Sequence, residues 1–238
     1  MLDIESMDDA ESLYAAGNAE GMLYNFAGAF EFFLKAAKMG HAPSQCLVGI
    51  FYEKGHGVPQ NYVKAVEYYM KSSAQGYAPA ETNLGWCFES AYGVEQDMKK
   101  AIAYYQKAAE KNYPPAQGNL GFCYANGNGV KKDLYEAFDW FKKAATRGNS
   151  FAQYNLGECY EHGKGVEADS KKAFEWYKKS AERGYPPAQN MLGHCYENGT
   201  CVPKNDLKAY EWYNYAAAHG YLAAKMNLDN LKKKSALE

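Results

Sequence analysis

The sequence predicts an all-α fold, a solenoid of about six helix-turn-helix repeats of 36 residues closed by a lone C-terminal helix. Three observations carry this. The pair Leu84-Gly85 returns as Leu120-Gly121, Leu156-Gly157 and Leu192-Gly193, always 36 residues on, with no insertion. Each period holds two stretches whose apolar residues recur at helical spacing, one face of an amphipathic helix each. Glycine and aspartate punctuate the gaps between them. A fixed period of this size marks a repeat architecture. Two short helices cannot bury their apolar faces alone, so each pair stacks on the next into a continuous core and a curved superhelix.

The elements follow in order. Residues 1–7 read as a ragged tail, and 8–40 as a degenerate capping repeat in which the Leu-Gly pair is lost and charge is gained. A polar face is expected there, because an end unit lacks a neighbour on one side. Full repeats occupy 41–76, 77–112, 113–148, 149–184 and 185–220, and a capping helix lies within 221–238. In three of the repeats helix A opens near a proline (Pro79, Pro115, Pro187), where the missing N–H is no loss. In the repeat 77–112 it runs from about Pro79 to Ala91, with Ala80, Leu84, Cys87, Phe88 and Ala91 on one apolar face. A glycine turn follows, since glycine accepts the left-handed conformation that ends a helix. Asp97, Asp133 and Asp169 then cap helix B, Glu136 completing a capping box with Asp133. Glycine inside helix A, at 49, 85, 121, 157 and 193, costs about 1 kcal/mol against alanine and so implies close contact with another helix. Thirteen helices are predicted. In the last, about Ala223 to Ser235, Leu228 keeps the core position and Lys232 to Lys234 face solvent.

Composition narrows the function classes. Hydrophobic residues make up 47% of the 238, and 22 tyrosines supply ample core. A net charge of −2 and the lack of any Lys/Arg tract argue against nucleic-acid binding. No apolar run approaches the roughly 18 residues of a membrane span. The opening MLDIESMDDAES is acidic and lacks a signal peptide's apolar segment, which places the chain in the cytoplasm unless a leader preceded it. Cys87, Cys123, Cys159 and Cys195 form one column. Stacked helices lie about 8–10 Å apart, too far for disulfides, so these are small buried hydrophobes of a reducing compartment. Cys195 and Cys201 could meet across a helix end.

Leu-Gly-x-x-Tyr, Gly-x-Gly-Val, Asp, Lys/Glu-Ala-x-x-Trp/Tyr-Tyr-x-Lys-Ala-Ala and a closing Gly, spread over 36 residues, resemble the Sel1-like repeat, a relative of the tetratricopeptide repeat. The repeat 149–184 carries nearly the whole pattern: Asn155-Leu156-Gly157, Cys159-Tyr160, Gly163, Gly165-Val166, Asp169, Lys172-Ala173, Trp176-Tyr177 and Gly184. Ala91, Cys201 and Asn112 stand in glycine columns and put the turn geometry there in question. The resemblance implies a right-handed superhelix whose A helices line a concave groove. It implies an adaptor or scaffold that binds a peptide or protein segment. Some secreted bacterial relatives are described as binding or hydrolysing β-lactams, so the alternative the resemblance implies is a secreted bacterial protein with cell-wall or β-lactam-related hydrolase activity.

Columns that stay constant serve packing, and columns that change are free to define a ligand. The outward stripe of helix A reads Thr82/Trp86/Glu89, Gly118/Phe122/Ala125, Tyr154/Glu158/Glu161 and Asn190/His194/Glu197. Trp86, Phe122 and Tyr154 are large aromatics outside the core pattern; they either mark an interface or pack on neighbouring helices. Beside them runs an asparagine ladder, Asn83, Asn119, Asn155 and Asn227, able to hold a peptide backbone or to bond the adjacent repeat. The expected binding residues are therefore Thr82, Asn83, Trp86, Glu89, Asn119, Phe122, Tyr154, Asn155, Glu158, Asn190, His194 and Asn227. Glutamates gather on helix A and lysines on helix B, so a neutral or basic peptide is preferred. Ser-x-x-Lys, Cys-x-x-Cys and His-Glu-x-x-His are all missing, and His194, Cys195 and Cys201 lack a fourth ligand. The expectation is a monomeric, non-enzymatic protein with no catalytic residue, cofactor or metal.

Overall fold

The computed structural model describes residues 7–235, and all its regular structure is helical: thirteen helices among the described residues. The chain divides into two compact units, Met1–Ala116 and Gln117–Glu238. The first holds α1 (Ala10–Met22), α2 (Phe26–Lys38), α3 (Ala42–Lys54), α4 (Tyr62–Ser73), α5 (Ala78–Ser90) and α6 (Met98–Glu110). The boundary falls in the first turn of α7 (Pro114–Asn126). The second continues with α8 (Leu134–Thr146), α9 (Ser150–His162), α10 (Ser170–Glu182), α11 (Pro186–Asn198), α12 (Asp206–Ala218) and α13 (Leu222–Ser235). Odd-numbered helices through α11 are the A helices and even-numbered ones the B helices. Within each unit, helices adjacent in the chain pack against each other, from α1 to α6 and again from α8 to α13.

Most core clusters join one repeat to the next, although the first, between α1 and α2, lies inside a repeat. In the first unit Ala65, Val66 and Tyr69 of α4 cluster with Ala80, Leu84 and Cys87 of α5. In the second, α10 gives Ala173, Phe174 and Tyr177 to a cluster with Ala188, Leu192 and Cys195 of α11. Helix B of one repeat thus buries its face against helix A of the next, as stacking of incomplete pairs requires. The last cluster sets Ala209 and Tyr213 against Ala224, Leu228 and Leu231 of α13, while Lys232 to Lys234 stay exposed.

The turns explain the three departures from glycine. Ala91, Asn112 and Cys201 take φ of 59°, 61° and 63°, the same left-handed conformation as the glycines in their columns. The turn is fixed by its hydrogen bonds, such as Tyr92 N to Cys87 O and Asp97 N to Phe88 O, so the side chain bears the strain and the geometry survives. Ala91 consequently leaves the apolar face on which its spacing set it and is exposed. Caps form where expected: Asp97 and Asp169 each accept the N–H three residues on, and Asp133 accepts from Tyr135 and Glu136. Asn205, not among the expected caps, caps α12 in the same way.

The first repeat is less degenerate than its sequence suggests. Gly17 of α1 lies against the Phe33 ring, in the place that Gly49, Gly85, Gly157 and Gly193 take against tyrosines. A three-residue link, 23–25, joins α1 to α2, which moves this glycine out of the 36-residue register. Met7, expected in the tail, packs on the first core cluster, and its carbonyl accepts from Lys35 at 2.8 Å. The rest of the expected tail, 1–6, and the last three residues lie outside the described residues.

Candidate functional site

One device recurs through the chain. The helix-A glycine leaves room for an aromatic ring from helix B: a Cβ on Gly49, Gly85, Gly157 or Gly193 would come within 2.5–2.6 Å of the ring of Tyr69, Tyr105, Tyr177 or Tyr213. Each hydroxyl then donates to the glutamate one turn after that glycine. The bonds are Tyr69 to Glu53 (2.7 Å), Tyr105 to Glu89 (2.6 Å), Tyr177 to Glu161 (2.5 Å) and Tyr213 to Glu197 (2.8 Å). Burial, reinforced by the glutamate partner, drives the Tyr69, Tyr177 and Tyr213 hydroxyls far above their ordinary pKa, so they stay donors. Two repeats lack the pair, and both lack it on both sides: Phe33 goes with Gly21, and Phe141 with Ala125. Hydroxyl and carboxylate come and go together, because either alone would leave a half-satisfied polar group in the interior.

This changes the reading of the glutamates. Glu89 accepts from Tyr105 instead of waiting for a ligand. Glu53 also pairs with Lys54 at 2.7 Å, Glu81 is buried against Lys111 at 2.6 Å, and Glu158 meets Lys164 at 3.5 Å. Glu197 binds Lys234; burial works to raise its carboxyl, but Lys234 and Tyr213 hold it below the usual range. The acidic character expected of the A-helix face is largely spent inside the protein. The lysines of helix B are engaged as well. Lys71, Lys107, Lys143 and Lys179 each lie over the aromatic three residues earlier, as close as 3.9 Å for Lys143 over Trp140.

In the first unit, Trp86 is partly buried, packs at a tilt on Tyr92 with centroids 4.7 Å apart and carries Lys54 at 5.9 Å. Asn83 donates to the Cys46 sulfur of the preceding A helix at 3.7 Å. Thr82 does not face outward. It is buried, and its hydroxyl is bonded to the Ala78 carbonyl at 2.9 Å, which lets a polar residue sit on the inner side of α5.

The second unit brings five of the remaining candidates, Phe122, Asn155, Glu158, His194 and Asn227, into two places, and leaves Tyr154, Asn119 and Asn190 outside both. Phe122, Asn155 and Glu158 line a cavity of about 250 Å³ with Ala125, Phe141 and Cys159, where the tyrosine–glutamate pair is missing. Phe122 is 39% exposed, one face resting on Phe151. Tyr154 packs between Tyr177 and Tyr185, and burial, then the Glu158 charge, pushes its hydroxyl well above the usual range. Asn155 is tied to Phe151 O, and Asn119 is half-buried on α7. The second place, a depression of about 460 Å³, is lined by His194, Glu197, Asn198, Asn227, Asn230 and Lys234. At its side Asn227 donates to Asn190 at 2.9 Å, so the ladder bonds helix to helix there.

Sequence reasoning missed one cluster. Ligand atoms of Glu158, Glu161 and His162 lie within 4.8 Å of one another. Both carboxylates already accept the Tyr177 hydroxyl, and Lys164 supplies a positive charge, which makes this a structural cluster first. All six cysteines are free thiols, Cys195 and Cys201 included.

The Sel1 repeat family profile matches six successive segments, 10–41, 42–77, 78–113, 114–149, 150–185 and 186–221. Among solved structures, a Sel1 repeat protein from Oxalobacter formigenes is 31% identical with a TM-score of 0.78, over 91% of this chain and 86% of that one. The protective antigen c5321 of uropathogenic Escherichia coli, which displays an SLR fold, is 37% identical with a TM-score of 0.72, over 85% of this chain and 43% of its own. The immunity protein Pa5087 of Pseudomonas aeruginosa shares the fold at 22% identity and a TM-score of 0.64, over 90% and 81%. No curated protein matches. Six profile matches across one glycine-and-aromatic scaffold settle the family: the chain belongs to the Sel1 repeat proteins.

Proposed function

We propose that the protein is a non-catalytic scaffold that binds a protein or extended peptide on the outward face of its A helices. Sel1 repeats are typically a protein-interaction fold, and the constant columns of this chain are consumed by packing. What varies between repeats is the outward stripe. The observation that carries the reading is Phe122, a large aromatic 39% exposed at the mouth of a cavity with an apolar floor, outside the recurring core columns. Because most A-helix glutamates are paired internally, the partner is selected by shape and apolar contact, and the basic character first expected of it becomes secondary. Free thiols throughout suit a reducing compartment, and we place the protein in the cytoplasm on that basis.

The test is affinity capture with the immobilised protein. Phe122→Ala combined with Trp86→Ala removes two partly exposed rings and leaves every tyrosine–glutamate pair intact. Loss of the partner captured by the wild type, with unchanged helicity, supports the reading. Retention of that partner, together with loss on Lys142→Glu/Lys178→Glu, refutes it and moves recognition to the B helices. Ionic strength separates the same two surfaces, since only binding to the lysine face weakens steeply with salt.

A further inference from the structure

The cavity in the second unit exists because one repeat gave up a device that four others keep. In those four, helix A carries glutamate one turn after the glycine, and a tyrosine hydroxyl fills the space beside it. Here the same two positions are Ala125 and Phe141, and about 250 Å³ stands open between them. A void of that size in a core position loses the contacts of its lining, so an unused one is a cost to the fold. It is smaller than the ~300–1,000 Å³ of sites for drug-sized molecules, which leaves room for a single side chain. Its floor is apolar: Ala125, Ala137, Phe141 and the thiol of Cys159, which burial pushes up to about 11 and so keeps neutral. Its rim is not. Glu158 is already engaged by Tyr177 and Lys164, whereas Lys132 is exposed and has no ion-pair partner among the described residues. The mouth therefore offers one uncompensated positive charge.

We infer that this cavity takes one apolar side chain of the bound segment, with a carboxylate beside it in the partner meeting Lys132. The inference deepens the surface reading above and rests on it for the existence of a partner. The class of ligand is an aliphatic residue of about leucine size next to an acidic group or a chain end. The tyrosine–glutamate repeats show how to close the cavity without unfolding the protein: Ala125→Glu with Phe141→Tyr rebuilds the pair found four times in this chain. Ala125→Gln with Phe141→Tyr fills the same space with no added charge.

The experiment uses small probes, so it does not need the natural partner. Amide chemical shifts of the full chain are followed during titration with N-acetyl-leucine and, separately, with N-acetyl-leucinamide. Saturable shifts should centre on Phe122, Ala125 and Asn155. The anion should bind about threefold more tightly than the amide, the range of one exposed ion pair, and Lys132→Ala should erase that difference. Both refilled double variants should lose the binding about tenfold or more. Shifts that do not saturate, or that persist unchanged in both refilled variants, overturn the cavity assignment; equal affinity for anion and amide overturns the role of Lys132. Failure here with partner capture still lost on Phe122→Ala would remove this pocket and leave the surface reading standing. Probe binding with capture unaffected would do the reverse.

Discussion

Replacing Gly85 by alanine tests the packing of the repeat more sharply than any core truncation. On an exposed helix the change stabilises by about 1 kcal/mol, because alanine is the better helix former. Here the new Cβ would stand 2.5 Å from Tyr105 Cε1, 2.6 Å from Cδ1 and 3.1 Å from the Ala101 carbonyl oxygen. The ring cannot swing away. Tyr105 is fully buried, and its hydroxyl is held by Glu89 at 2.6 Å. Overpacking of this kind costs about 1–3 kcal/mol, which cancels or outweighs the propensity gain. With two close ring contacts and a backbone oxygen on the third side, we expect the upper half of that range, hence net destabilisation of about 1–2 kcal/mol. Gly21 supplies the control: it is helical, and a Cβ there would meet nothing within 4 Å. Gly21→Ala should therefore stabilise, by up to about 1 kcal/mol. Urea unfolding followed by circular dichroism reads both. If Gly85→Ala raises the midpoint as Gly21→Ala does, the account of the glycine column is wrong.

Further predictions concern the tyrosine–glutamate pair, the buried thiols and catalysis. Tyr69→Phe leaves the Glu53 carboxylate without its hydroxyl donor and should cost about 1.5–3 kcal/mol in urea unfolding, the range for a hydrogen bond to a charged group; Phe141→Tyr alone, with no carboxylate at Ala125, should bring no gain. Burial pushes the Cys46, Cys87 and Cys195 thiols up to about 12, above the usual value near 8.5, so the stability this protonated form lends is complete below about pH 8.5 and is lost as pH rises towards 12. In native protein a thiol reagent should therefore modify Cys201 alone, the one exposed cysteine of six, and all six after unfolding; rapid native modification of more than one would contradict the burial. A chromogenic β-lactam should be hydrolysed no faster than background, and turnover that follows the protein through purification would reopen the enzymatic alternative.

The period of the Leu-Gly pair made the fold legible, because a residue that recurs at the same place in every unit is answering the same neighbour. Leu84, Leu120, Leu156 and Leu192 are all buried to within 1%. The same logic hid Gly17: a shorter link between α1 and α2 shifts its register, and a search for the 36-residue step passes over it. The candidate site was legible only in part, because outward spacing on a helix does not say whether a partner helix reaches over. Glu89 lies on the outward stripe, yet Tyr105 reaches it from helix B; Thr82 lies there too, but bonds its own helix and turns inward. The signal that could have separated these is in the sequence. Tyrosine goes with glutamate four times, phenylalanine with alanine or glycine twice, and columns compared one at a time do not show it. Phe122 and Asn155, by contrast, fall beside the cavity that the missing pair creates.

Hydrogen exchange on the chain with its captured partner bound tests most directly whether the A helices are the working surface. The account predicts new protection at α7 and α9, centred on Phe122 and Asn155, with the exposed lysine face of α8 and α10 exchanging as in the free protein. Protection confined to α8 and α10 would contradict it.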